Sequence, residues 1–281
     1  MKVLAINLHP LKSSAIRPVE TAEVQLRGLA DDRSWMVVDA DGAAVTAREV
    51  HRLFQVTADT PRTDPQVTSA LRLRAPGLPS LEVDEPVDDD RVEVQLFSQR
   101  LGALPAAAVA HEWIGQALGR EDVRLVWCPD PTARRLDPRH ARPGDHTAFA
   151  DGYPLTVATT GSLRQLNEWI VSDAVERGDE TPEPLPMQRF RPNLVLDCDE
   201  PFAEDRWRTL TVGGVRLRNA KPGERCVMTT VDLDTLQTGK EPIRTLARYR
   251  RSGSKTLFAT NLIPDTTGEV RVGDEVVAEE A

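Results

Sequence analysis

The chain has 281 residues, enough to bury a sizeable core as one large or two modest domains. Its 35 Lys+Arg against 44 Asp+Glu give a formal charge of −9, which argues against a nucleic-acid-coating surface while leaving room for a local basic pocket. Hydrophobic content of 40% with 28% charged residues is that of a soluble globular protein, and no stretch reaches the roughly eighteen apolar residues a spanning helix needs.

The opening MKVLAINLHPLKSS lacks a sustained apolar region and a small-residue cleavage site, so it reads as a first strand stopped by proline, and the cytoplasm is the expected location. ETAEVQLR (20–27) alternates polar and apolar residues, and SWMVVDADGAAVTA (34–47) predicts a hairpin around Asp41-Gly42. LRLRAP (71–76), LEVDEP (81–86) and RVEVQLF (91–97) add short strands bounded by Pro, Gly or Asp, which suggests a small barrel or sandwich. The period changes at PAAAVAHEWIGQALG (105–119), a predicted helix opened by Pro105 and ended by Gly119. After the strand RLVWC, residues 129–152 form a long loop whose arginines 134, 135, 139 and 142 either line an anionic site or are solvated.

YPLTVATTGSLRQLNEWI (153–170) predicts a strand running into a helix, with Ser162 and Gln165 matching a capping box. Hydroxyls before a helix N-terminus also suit an anion, and Thr159 and Thr160 are the candidates for that role. RFRPNLVLD (189–197) feeds two cations and an asparagine into an apolar strand. TLTVGGVRLRNA (209–220) is a hairpin around Gly213-Gly214, and VRVGDEV (270–276) a closing strand and turn.

Three cysteines, Cys128, Cys198 and Cys226, are too few for a four-cysteine iron–sulfur cluster and too widely spaced for a disulfide framework. The histidines at 9, 51, 111, 140 and 146 show no zinc spacing. Cys226 follows Arg225 in KPGERCVMTTVD, a setting that favours a thiolate acting as a soft metal ligand or as a nucleophile. Cys128 and Cys198 read as core residues. Asp232 is either a proton donor or a turn cap.

RFRPNLVL followed by ERCVMTTVD resembles the MOSC-domain molybdenum-cofactor proteins, in particular the mitochondrial amidoxime-reducing component and its bacterial hydroxylamino-reducing relatives. VLAINLHPLKSS, GLADDRSWMVVDADGAAVTAR (28–48), residues 153–167, EPIRTLARYR (241–250) and LFATNLIP (257–264) extend the resemblance along nearly the whole chain. It implies a mainly β, α+β fold: a β-barrel-like N-terminal domain over about 1–120 and a MOSC β-barrel domain with flanking helices over 121–281. The cofactor implied is Mo-molybdopterin. Its metal ligand and catalytic residue fall on Cys226, and its pterin- and phosphate-binding residues on Lys12, Ser13, Arg33, Thr159, Thr160, Arg191, Asn193 and Arg225. Asn261 stands where some members have an aromatic residue, and His9 replaces the tyrosine common in the opening motif, with little evident consequence.

The activity implied is reduction of N-hydroxylated compounds: hydroxylamines, amidoximes and N-hydroxylated bases. The partners implied are the small substrate and a separate ferredoxin- or flavin-type electron donor, with no nucleic acid, no membrane and a monomeric state. The family is also associated with pyridoxal phosphate binding. Two other functions stay open: a carrier holding a persulfide or delivering the cofactor, and a metal-free cysteine nucleophile.

Overall fold

The computed structural model describes residues 1–87 and 90–280, mostly β-structure with three α-helices among them. The chain divides into two compact units, neither of them one continuous segment. One holds Met1–Asn7, Glu20–Gln25 and Leu155–Ala281; the other holds Leu8–Val19 and Leu26–Pro154.

The second of these is built on a sheet with strands in the order Val92–Leu96, Gln99–Pro105, Arg124–Trp127, Trp35–Val38 and Ala44–Val45, each antiparallel to its neighbour. Trp35, Met36, Val37 and Val38 are all buried, as an unbroken apolar run in a strand covered on both faces should be. Phe149 packs with Met36, Val94 and Val126 in the core and anchors the end of the long loop. Helix α1 (Ala108–Leu118) buries Trp113 and Ile114 and stops at Gly119, whose φ of 69° suits a residue without a Cβ. The expected opening of this helix at Pro105 does not hold. Pro105 is the last residue of a strand, paired with Val126, where a missing N–H costs the ladder little.

Much of the 129–152 stretch is the solvated loop expected, with Arg135, Arg139 and Arg142 exposed, but Arg134 is not part of that surface. Asp130 caps a short 3₁₀ turn at Pro131–Ala133, and Arg134 is buried with its guanidinium donating to the carbonyls of Ala148 (2.8 Å), Ala150 and Asp151 (2.6 Å). One arginine therefore pins residues 148–151.

The other unit carries a larger sheet in the order Val3–Leu8, Leu194–Leu196, Leu155–Thr159, Lys255–Pro264, Val215–Arg225, Trp207–Val212 and Val276–Glu280. Leu155–Thr159 and Leu194–Leu196 are parallel, and helix α2 (Thr160–Arg177) lies in the crossover between them. The predicted hairpin is present, with Gly213 and Gly214 at φ 52° and 88°. Helix α3 (Ile243–Tyr249) contributes Leu246, and α2 contributes Leu166 and Ile170, to a core cluster with Phe190 and Phe258. Among the described residues no helix is long and apolar enough to cross a membrane.

Candidate functional site

In the unit built on Trp35–Val38, the segment after the first strand turns sharply at Ser13, whose φ is 68°. Lys12 is only 3% exposed, and its ammonium donates to the carbonyl of Phe149 (2.7 Å) and pairs with Asp151. Burial pulls its pKa down to about 8 although Asp151 opposes the shift; Arg134 and Arg33 push in the same direction as burial. Arg33, at φ 48°, is fixed through its backbone to His9 and Phe149, and its guanidinium pairs with Asp32. Asp32 also accepts from the His9 backbone N–H (2.7 Å) and lies 3.2 Å from His9 Nδ1. Burial alone would raise the Asp32 pKa; Arg33 and His9 hold it well below the carboxylate range. His9 is thus fully buried and shares a carboxylate with Arg33, so the histidine in the opening motif has a consequence after all.

The other unit brings the RFRPN and ERCVMTTVD segments together. Arg225 donates from Nε to Phe258 O (2.9 Å) and from Nη1 to Phe190 O (3.1 Å), while Arg189 reaches Thr229 O (3.4 Å) and Asp232 (2.8 Å). Gly223 makes room for this: a Cβ there would run into the Arg225 guanidinium and approach Phe258 O to 2.8 Å. Cys226 is half-buried and heads the 3₁₀ turn Val227–Thr230, its carbonyl accepting from the N–H and hydroxyl of Thr229 (3.1 and 2.9 Å). The other two thiols are buried, Cys128 at 6% exposure with its pKa pushed up to about 11 by burial, and Cys198 raised by the same cause. Of the three, Cys226 is the reachable one.

Arg191 sits at φ 51° just before Pro192. Ser13, Arg33 and Arg191 are thus three of the eight non-glycine residues with positive φ among those described, a conformation that costs of order 1–3 kcal/mol and clusters at functional sites. Asn193 is buried, its Oδ1 accepting from the Thr156 N–H (3.1 Å) and its Nδ2 donating to Asn7 O (3.2 Å), so it holds the turn after Arg191. Asn261 bridges Thr156 and Lys221 O at 3.4 Å each. Asp232 accepts from the Thr235 N–H (2.8 Å) and hydroxyl (2.9 Å), then from Asp234 and Arg189. Those bonds lower its pKa, and the carboxylate caps a turn instead of delivering a proton.

The capping box expected at Ser162 and Gln165 is displaced by one turn. Thr159 is the cap of α2, accepting from the Ser162 N–H (3.2 Å), and Ser162 lies inside the helix. Thr159 and Ser162 hydroxyls both reach Glu204, at 3.2 Å and 2.8–2.9 Å, while Thr160 Oγ1 and the Gly161 N–H meet Cys198 O at 3.4 and 2.8 Å. Glu204 is fully buried, and burial raises its pKa. A carboxyl with a raised folded-state pKa contributes most below its ordinary 4.5 and loses that contribution as pH rises through the raised value. Glu204→Gln keeps an acceptor for the hydroxyls without the charge. It is expected to raise the melting temperature at pH 7 by about 2–4 °C, the gain shrinking at pH 4, as a calorimetric pH series can measure.

Sequence reasoning missed Asp151, Arg48, Phe97 and Glu204. Only Phe97 carried a local signal, an aromatic in a two-residue turn between Leu96 and Gln99, where Asn or Gly is the common choice.

Among the described residues no group of three or more His, Cys, Asp or Glu is placed to hold a metal. The sequence matches the MOSC N-terminal beta barrel domain over residues 1–121 and the MOSC domain over 144–277. Mitochondrial amidoxime-reducing component 1 of Homo sapiens is 29% identical over 286 residues, covering 96% of this chain and 80% of that protein. Mitochondrial amidoxime reducing component 2 of Homo sapiens is 29% identical over 288 residues, covering 96% and 81%. The component 1 protein of Danio rerio is 29% identical over 289 residues, covering 98% and 83%. Neither these relatives nor the matched domains support pyridoxal phosphate. With a barrel-type N-terminal domain followed by a MOSC domain, and RFRPN folded against ERCVMTT, this chain belongs to the MOSC-domain proteins.

Proposed function

We propose that the protein is a molybdenum-cofactor-dependent reductase of N-hydroxylated compounds. The observation that carries the reading is the joining of the two motif segments around a half-buried Cys226, through Arg225 on Phe190 O and Arg189 on Thr229 O. A half-buried thiol at the head of a turn suits a metal that arrives with ligands of its own, as one held by a pterin dithiolene does. Cys226 supplies the protein's thiolate ligand with Arg191 and Arg225 as pterin-binding residues of the same unit, and Lys12, Ser13 and Arg33, in the other unit, are the phosphate-binding candidates. Asn193 and Thr159 hold the backbone on which those groups stand, and Thr160 lies at the same helix start.

The cofactor, when bound, supplies two-electron reduction of the N–O bond, the oxygen leaving as water after uptake of two protons. The chain binds and orients; Asp232 is already committed to a turn, so protons come from solvent or substrate. The proposed electron donor is a separate protein, since three cysteines are too few to ligate a four-cysteine iron–sulfur cluster. A cytoplasmic monomer remains the proposed state.

The test is elemental analysis of the purified protein, identification of the released pterin, and conversion of a hydroxylamine or amidoxime to the amine with a chemical reductant. Near-stoichiometric molybdenum with turnover is the expected result. Metal-free protein with a persulfidated Cys226, or loaded protein that never reduces an N–O bond, transfers the assignment to the carrier function.

A further inference from the structure

Asp151 is placed unlike an ordinary structural partner. It faces three cations, Lys12 in direct contact, Arg48 at 3.1 Å and Arg33 nearby, yet its side chain is 59% exposed while Lys12 is almost wholly buried. A buried ammonium held by an exposed carboxylate is an unusual pairing, because the carboxylate is free to be hydrated without the lysine. The backbone behind it is held: Arg134 donates to the carbonyls of Ala148, Ala150 and Asp151, and Phe149 packs in the core. The Asp151 side chain is the solvent-facing member of the pair.

Above the same group stands Phe97. It occupies the tip of the hairpin Val92–Leu96/Gln99–Pro105 at φ 56°, an outlying conformation for a bulky residue, and is 47% exposed. Its ring lies 5.6 Å from the Lys12 ammonium and 5.3 Å from the Arg48 guanidinium, within cation–π range of both. An exposed aromatic in an uncommon backbone conformation over two cations is the kind of feature that clusters at ligand sites.

We propose that Lys12, Arg33 and Arg48, under Phe97, form a phosphate site in which Asp151 is a displaceable internal counter-ion. A phosphate dianion, with more charge and three acceptor oxygens, replaces the monovalent carboxylate on the Lys12 ammonium and the Arg48 fork. Arg48 and Phe97 thereby join the ligand-binding residues. The inference rests on the proposed reading only in taking the phosphate to be that of the cofactor; the displacement itself needs no metal.

Full-length protein produced without molybdate, titrated calorimetrically with inorganic phosphate, tests it. The expected result is weak binding by wild type, binding at least tenfold tighter in Asp151→Asn and in Asp151→Ser, and none in Lys12→Met. Should Asp151 instead be a fixed positioning residue, both substitutions weaken binding, and that result overturns the proposal, as does the absence of binding in every variant. A wild-type crystal soaked in phosphate gives the same decision without a mutation: the Lys12 ammonium sits on phosphate with Asp151 turned away, or the pair is intact and the proposal fails. Molybdenum-loaded protein identifies the source of the phosphate. If it no longer binds added phosphate the cofactor fills the site; if it still binds, the site takes free phosphate.

Discussion

Replacing Cys226 with serine is expected to remove bound molybdenum and to reduce N–O turnover by at least a hundredfold, while the melting temperature moves by no more than about 2 °C. The expectation of a small stability change follows from what the side chain does in the fold. Cys226 is half-buried, and its contribution to the 3₁₀ turn is its carbonyl, which serine retains. A hydroxyl occupies nearly the same volume, so no cavity forms. Serine is a hard, weakly acidic oxygen donor, however, and does not replace a soft thiolate on a heavy metal. Metal analysis and thermal denaturation on the same preparation separate the two effects. Full molybdenum in the serine variant would remove Cys226 from the metal site, and loss of the fold would show that the thiol is structural.

Lys12→Met is expected to have opposite effects on stability and on binding. The folded-state pKa of Lys12 is about 8 against an ordinary 10.5, so between those values the unfolded chain holds more protons than the folded one. Stability of the wild type therefore rises with pH across that window, and below it the buried ammonium is a standing cost. Methionine removes that cost and keeps the stem, but leaves the Phe149 carbonyl without its donor and Asp151 with Arg48 as its remaining direct partner, which offsets part of the gain. The balance is a gain of about 1–3 kcal/mol at pH 7, with the difference from wild type narrowing above pH 9. Cofactor content falls to near zero at the same time. Urea denaturation at pH 7 and pH 9.5, alongside metal analysis, reads both. A variant less stable than wild type at pH 7 would show that Lys12 is there to hold the fold.

Much of this site was legible because its chemistry is carried by short segments. Arg225 and Cys226 are adjacent, Arg189, Arg191 and Asn193 share the five residues of RFRPN, and the β-hairpin patterns around Gly42 and Gly213-Gly214 fix strand ends locally. The helix start shows where local pattern fails. T-T-G-S offers two hydroxyls three residues apart, either able to cap, and the choice of Thr159 is made by its pairing with Leu196 across a parallel ladder. Pro105 misleads for a related reason, since proline ends a strand as readily as it opens a helix. Asp151, Arg48 and Phe97 converge from three distant stretches, and no spacing rule connects them.

The interleaving of the two compact units has a consequence for synthesis. Val3–Leu8 lies antiparallel to Leu194–Leu196, and Thr21–Gln25 to Gly268–Arg271, so strands made first wait for partners made last. Until the ribosome passes residue 271, the Thr21–Gln25 strand has only the short Gly28–Leu29 strand beside it, and its other edge is open to other chains. A fragment beginning after residue 121 would contain every cysteine but none of the first strand. Leu194–Leu196 would then be a bare apolar edge, and such a fragment is expected to aggregate on expression while the full chain stays in solution, a difference that size-exclusion chromatography resolves.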